Sequence, residues 1–193
     1  MLGLKLATDP RWVNIAEKSI GEILIDHAFC EQKAATSGIS LIVKYADKPD
    51  IVKEVTPIVA EEWGHFRRVL KEMDKRGIEL GLKRKDEYVN QLLKLETRQP
   101  TRELMLVEKL LTFAMIEARS CERFRLLSLH VDDEDLKKFY HEFMVSEAGH
   151  YRLFLDLAYR YAPKEHVSKR WEEYLEGEAE ILKKLEIRGD RVH

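Results

Sequence analysis

One short pattern occurs twice in this chain and constrains it more than any other feature. The segments EEWGH (61–65) and SEAGH (146–150) each carry Glu-x-Gly-His, giving the pairs Glu62/His65 and Glu147/His150. Residues three apart share one face of an α-helix, so each Glu and His can reach a common metal ion. Glu-x-Gly-His is expected by chance only about 0.04 times in a chain of this composition. Glycine inside a helix is about 1 kcal/mol less favourable than alanine. The matching Gly64 and Gly149 therefore suggest a tight backbone approach beside each histidine.

The intervals extend the repeat. Glu31 precedes Glu62 by 31 residues (62 − 31), and Glu117 precedes Glu147 by 30 (147 − 117). Each interval is one antiparallel helix hairpin measured from mid-helix to mid-helix. Both halves thus read Glu, hairpin, Glu-x-x-His, the arrangement of di-iron carboxylate bundles.

Helices are favoured throughout. Of 193 residues, 45% are apolar and 35% charged, with only 9 Gly and 5 Pro to interrupt regular structure. The length suits one domain with a full core, or at most two small ones. Asp9-Pro10 starts a helical pattern that runs to about Tyr45, with a possible break near Gly21. A second runs from about Pro49 to Arg76 and stops at Gly77. Residues 78–100 form a less regular crossover with an amphipathic piece around Asp86–Leu95. A third pattern runs from Thr101 to about Leu129. A fourth starts at Asp132 or Asp133 and ends near Tyr161. A charged fifth, from about Lys164 to Arg188, is expected to pack outside. The expected organisation is one all-α domain over residues 1–193, with helix pairs at about 10–77 and 101–161 and a C-terminal helix at about 164–188. One long crossover between two hairpins is the connectivity of ferritin-like four-helix bundles. An up-down-up-down bundle would not need it.

The four acids lie on apolar stripes. Glu62 shares its face with Val55, Ile58 and Val69, and Glu147 with Tyr140, Phe143 and Phe154. Glu117 lies with Leu110 and Ala114, and Glu31 with Leu24, Ala28 and Ala35. Uncompensated buried carboxylates cost several kcal/mol each or take up protons. Two divalent cations would balance four of them. Four carboxylates and two imidazoles without a thiolate suit iron or manganese rather than structural zinc. The expected metal ligands are Glu31, Glu62, His65, Glu117, Glu147 and His150. CEQKA (30–34) and CERFR (121–125) look alike, which would pair Glu31 with Glu122. The Glu122–Glu147 interval, at 25 (147 − 122), breaks the hairpin symmetry and favours Glu117. His27, one turn before Glu31, reads as a satisfied core histidine or as the partner of a ligand.

The strings DHAFCEQKAA (26–35), EEWGHFRRVL (61–70), FAMIEARSCERF (113–124) and SEAGHYRLF (146–154) resemble the tRNA hydroxylases that act on 2-methylthio-N6-isopentenyladenosine beside the anticodon. The resemblance implies an O2-dependent, non-haem di-iron monooxygenase in the ferritin-like superfamily. It would hydroxylate an allylic methyl carbon of the isopentenyl group with electrons from an external donor. The implied partners are the tRNA anticodon stem-loop and an electron-transfer protein.

RNA binding needs phosphate contacts from Lys and Arg. The candidates are Arg67, Arg68 and Lys71, then Lys83, Arg84 and Lys85 in the crossover, and Arg119, Arg123, Arg125 and Arg152. Arg119 and Arg123 equally suit anchoring carboxylates. The net charge of −2 does not by itself point to nucleic acid. Neither a signal peptide nor an apolar run of membrane-spanning length is visible, and Cys30 and Cys121 form no disulfide framework, so a reducing cytoplasm is expected. The same bundle also serves iron storage, manganese catalase-like or ligand-oxidase chemistry, and a metal-free interaction module is the plainest alternative.

Overall fold

The computed structural model describes residues 2–82 and 84–192. Seven α-helices and one 3-10 turn occur among the described residues, with no strand. The chain divides into two compact units, one of Asn14–Lys85 with Arg188–Val192, the other of the N-terminal residues through Val13 with Asp86–Ile187.

The first unit is built on a helix hairpin. Helix α1 (Arg11–Lys18) precedes it in the chain, and Asp9 starts α1 by accepting the Arg11 N–H at 2.9 Å. The chain breaks at Ser19, two residues earlier than the expected Gly21, and α2 (Ile20–Lys44) follows. Gly21 instead packs against Ile78, whose Cδ1 would lie 3.3 Å from an added Cβ. Helix α3 (Pro49–Asp74) begins with proline at its first turn, where the missing N–H costs nothing. Gly38 lets α2 and α3 close together, since a Cβ there would stand 2.6 Å from Val59 Cγ2. At the far end the Ile78 N–H reaches back to the Met73 carbonyl, and Gly77 takes the left-handed φ of +64° that ends the helix.

The C-terminal tail belongs to this unit. The Val192 N–H donates to Asp26 Oδ2 at 2.8 Å, and Gly189 fits against Ile15, where a Cβ would meet Cγ2 at 2.4 Å. Arg188-Gly189-Asp190 is thus a docked segment whose Arg and Asp bond each other.

The second unit is a hairpin of α5 (Arg102–His130) and α6 (Glu134–Tyr161), flanked by α4 (Glu87–Leu92), the 3-10 turn Leu93–Leu95 and α7 (Lys164–Lys184). Side-chain caps fix three helix starts. Asp86 accepts from the Val89 N–H, Thr101 from Leu104, and Asp133 from Asp135 and Leu136. Helix α5 buries Glu108, Arg119 and Arg123 together with most of its apolar residues.

Helix α7 ends at Lys184, four residues before the expected Arg188, and does more than decorate the surface. Arg119 Nε and Nη2 grip Glu178 at 2.8 and 2.9 Å, with both side chains fully buried, and the Tyr88 hydroxyl adds a third bond to Glu178 at 3.3 Å. Arg170 holds Glu108 through two 2.8 Å bonds. Two ion pairs therefore tie the charged C-terminal helix to α5.

Candidate metal centre and basic grooves

The four acids and two histidines of the sequence pattern are all buried, none more than 7% exposed. In the first unit, α2 supplies Glu31 and α3 supplies Glu62 and His65. One donor atom from each lies within 4.8 Å of the other two. His65 Nδ1 faces both carboxylates, 3.4 Å from Glu31 Oε2 and 3.6 Å from Glu62 Oε2. His27 Nε2 lies 2.7 Å from the other oxygen of Glu31. That contact fixes the rotamer of Glu31 and leaves Oε2 turned to His65.

In the second unit, Glu117 from α5 joins Glu147 and His150 from α6, again with donor atoms mutually within 4.8 Å. His150 Nδ1 is 3.4 Å from Glu147 Oε2. Phe143 and Phe154 on α6, and Leu110 and Ala114 on α5, are buried along the same helices. Glu122 does not join it. Its carboxylate accepts from the Thr8 N–H at 3.0 Å and the Thr8 hydroxyl at 2.5 Å, and it pairs with Arg119.

The donor chemistry of each triad fits a divalent cation. Two carboxylates and an imidazole converge in a dry environment where the negative charges are expensive without a counter-charge. Neither cysteine is a donor. Cys121 is buried and gives its S–H to the Met144 carbonyl, and Cys30 is half-buried. Burial, reinforced by the negative charge of Glu147, pushes the Cys121 thiol up to about 11.

The glycines depart from expectation. A Cβ on Gly64 or Gly149 would meet nothing within 4 Å, so neither marks a close approach of protein backbone. Both instead border open concavities. Gly64 and His65 share a groove of about 640 Å³ along α3 with Glu61, Arg67, Arg68 and Lys71. Three of the candidate RNA-binding cations are thereby gathered beside a histidine of the first triad. Gly149 lines a second cavity, of about 670 Å³, with Arg125 and Arg152.

Arg119 and Arg123 are corrected as RNA contacts. Arg119 is fully buried on Glu178 and Glu122. Arg123 lies 4.2 Å from the centre of the Trp12 ring, and burial together with the nearby Arg119 charge lowers its guanidinium to about 10. Neither can reach a phosphate. Arg84 pairs with Glu22, Lys85 is exposed, and Lys83 lies outside the described residues. Sequence reasoning missed the contribution of the N-terminal segment. Leu2, Leu4 and Ala7 wall the second cavity, and no motif marks them.

Comparison with known proteins supplies the context. The family model described as tRNA-(MS[2]IO[6]A)-hydroxylase (MiaE) matches residues 2–193. A protein of Pseudomonas putida named tRNA 2-(methylsulfanyl)-N(6)-isopentenyladenosine(37) hydroxylase is 36% identical, over 91% of this chain and 84% of its own length. A protein of the same name from Salmonella typhimurium is 31% identical, over 93% and 83%. Among solved structures, a Synechococcus protein with aldehyde deformylating oxygenase activity superposes with a TM-score of 0.92 at 31% identity. It covers 98% of this chain and 94% of that one. The fold is all-α and ferritin-like, a four-helix bundle with one long crossover and peripheral helices.

Proposed function

Because the chain belongs to the tRNA-(MS[2]IO[6]A)-hydroxylase (MiaE) family, we propose that residues 1–193 act as one O2-dependent di-iron monooxygenase that hydroxylates the isopentenyl group of the modified adenosine beside the tRNA anticodon. One oxygen atom enters an allylic C–H bond and the other leaves as water, with two electrons and two protons from an external donor. The observation that carries this reading is the pair of buried Glu-Glu-His triads in a chain matched almost end to end by that family.

Glu31, Glu62 and His65 in one unit, and Glu117, Glu147 and His150 in the other, hold two iron ions in this reading. Bound iron supplies the O2 activation that no side chain provides. The chain's own contribution is positional. His27 orients Glu31, the apolar residues around Glu117 and Glu147 exclude water, and four carboxylates balance two divalent cations. The groove at Gly64 and His65 offers Arg67, Arg68 and Lys71 to phosphates. An electron-transfer protein supplies the electrons, and the setting is the cytoplasm, where the tRNA is. No helix among the described residues is long and apolar enough to cross a membrane.

The test is nucleoside mass spectrometry. Iron-loaded protein, O2 and a chemical reductant are incubated with tRNA carrying the isopentenyl nucleoside. The expected product gains one oxygen atom on the prenyl group. An aldehyde is the control substrate, because the similar Synechococcus protein is described as having aldehyde deformylating oxygenase activity. Turnover of the aldehyde with no change in the tRNA would overturn the assignment.

A further inference from the structure

The cavity at Gly149 has features that the metal triads do not explain. It lies between the N-terminal segment and one face of the α5–α6 hairpin, and its volume of about 670 Å³ is within the range of small-ligand sites. Its walls are mostly apolar, with Leu2, Leu4, Met144, Val145 and Ala148 among them. Two guanidinium groups, Arg125 and Arg152, also line it, and neither has a carboxylate within ion-pair distance among the described residues. The one acid on its wall, Glu122, is already held by Thr8 and Arg119, so the cavity is left with an excess of positive charge.

Helix α6 presents Met144, Val145, Ala148, Gly149 and Arg152 to this space, whereas Glu147 and His150 do not line it. An occupant therefore lies beside the triad's helix without facing the reacting atoms. The missing side chain at Gly149 leaves the helix backbone open to it, with no protein atom within 4 Å of where a Cβ would stand. A glycine in mid-helix is unfavourable by about 1 kcal/mol, and protein packing does not account for this one.

We propose that this cavity is an accessory nucleotide pocket. It takes one unstacked base of the tRNA, other than the base being hydroxylated, between the N-terminal segment and α6, with the flanking phosphates on Arg125 and Arg152. Splayed single-stranded bases settle on apolar and guanidinium surfaces in this way. The inference rests on the tRNA reading above and adds a second RNA contact, in a different unit from the α3 groove.

The test uses full-length, iron-loaded protein kept anaerobic, so that RNA binds without turnover. Affinity for a prenylated anticodon stem-loop is measured across salt concentrations. Arg125→Glu and Arg152→Glu should each weaken binding about tenfold and make the salt slope shallower by about one. Val145→Trp changes no charge. Val145 is 57% exposed, so the larger ring is tolerated and fills the cavity mouth. It should weaken binding several-fold with an unchanged salt slope. Iron content and thermal midpoint should match the wild type in all three. If wild-type protein hydroxylates the tRNA and all three variants bind the stem-loop normally, the pocket is wrong and the proposed function stands. If wild-type protein leaves the tRNA unchanged, the function is wrong and the pocket falls with it. Loss of dimethylallyl phosphate binding with intact RNA binding would assign the cavity to a small anion and overturn the proposal.

Discussion

His27 Nε2 stands 2.7 Å from Glu31 Oε1, one helical turn away on α2, and both side chains are buried. A ligand carboxylate held by a neighbouring ring keeps one oxygen aimed at the metal position, and loss of such a partner typically lowers metal affinity 10- to 100-fold. His27→Ala should therefore weaken iron binding at the first triad by about that factor, measured by anaerobic Fe(II) titration. His27→Gln, which keeps a hydrogen-bonding group, should recover part of the loss. Unchanged affinity in His27→Ala would mean that the contact serves packing alone.

Four buried carboxylates also link cation binding to stability. A ligand that binds only the folded state at 100 times its Kd stabilises by about 2.7 kcal/mol. For a chain of this size that is a shift of about 5–10 °C in Tm. Treating the iron-loaded protein with a chelator should lower Tm by about this much, and re-addition of Fe(II) should restore it. Glu147→Gln should shrink the iron-dependent gain while leaving the metal-free protein as stable as before or slightly more so, since it removes a buried charge. A chelator-insensitive Tm would show that the triads hold no cation.

The buried pair Arg119–Glu178 makes a separate structural prediction. Removing one partner leaves the other charged, buried and uncompensated, a loss of about 3–5 kcal/mol. Arg119→Met should destabilise the protein by that order in urea unfolding. The double variant Arg119→Met/Glu178→Leu should be markedly less damaged than the single one. Equal damage in both would mean that shape, not charge, sets the effect.

That pair also shows where sequence reading stops. The Glu-x-x-His pairs were legible because three-residue spacing fixes a shared helical face, and the hairpin intervals linked Glu31 and Glu117 to them. Asp133, Thr101 and Gly77 were legible as local punctuation. Arg119 and Glu178 are 59 residues apart and belong to different helices. Periodicity along one helix cannot reveal such a partner, so α7 reads as a charged helix packed outside, and Arg119 reads equally as a phosphate contact or as an anchor for carboxylates it cannot name. The glycines fail for a different reason. Their helical cost is readable, but whether the open side faces protein or solvent depends on what else packs there. Glu122 resembles Glu31 in its local string, yet the Thr8 backbone and Arg119 turn it to other work.

Glu108 gives the pH dependence. Burial would raise its carboxyl, but the Arg170 hydrogen bonds and the Thr97 N–H outweigh that and hold it below its ordinary value of 4.5. A carboxyl lowered in the folded state contributes stability above its unfolded pKa, and that contribution is lost as pH falls through the folded value. Stability should thus decline as pH drops below about 4.5. Glu108→Gln should flatten the decline while lowering stability at neutral pH. A variant with wild-type acid sensitivity would exclude Glu108 as a contributor.

The α3 groove makes a claim about RNA that does not depend on the second cavity. Arg67, Arg68 and Lys71 share its lining with His65, so a phosphate bound there lies next to the first triad. All three are exposed, and their side chains take no part in the triad. Reversing Arg67 and Arg68 to Glu should weaken anticodon stem-loop binding by at least tenfold and make its salt slope shallower by about two, one for each lost phosphate contact. Iron content should not change, because no ligand is touched. Fluorescence anisotropy at several salt concentrations, alongside iron analysis of the same preparations, separates the outcomes. Weaker binding with a full iron complement places phosphates in the groove. Wild-type affinity and slope would remove the groove from the RNA footprint, and parallel loss of iron would show that the substitutions disturb α3 itself.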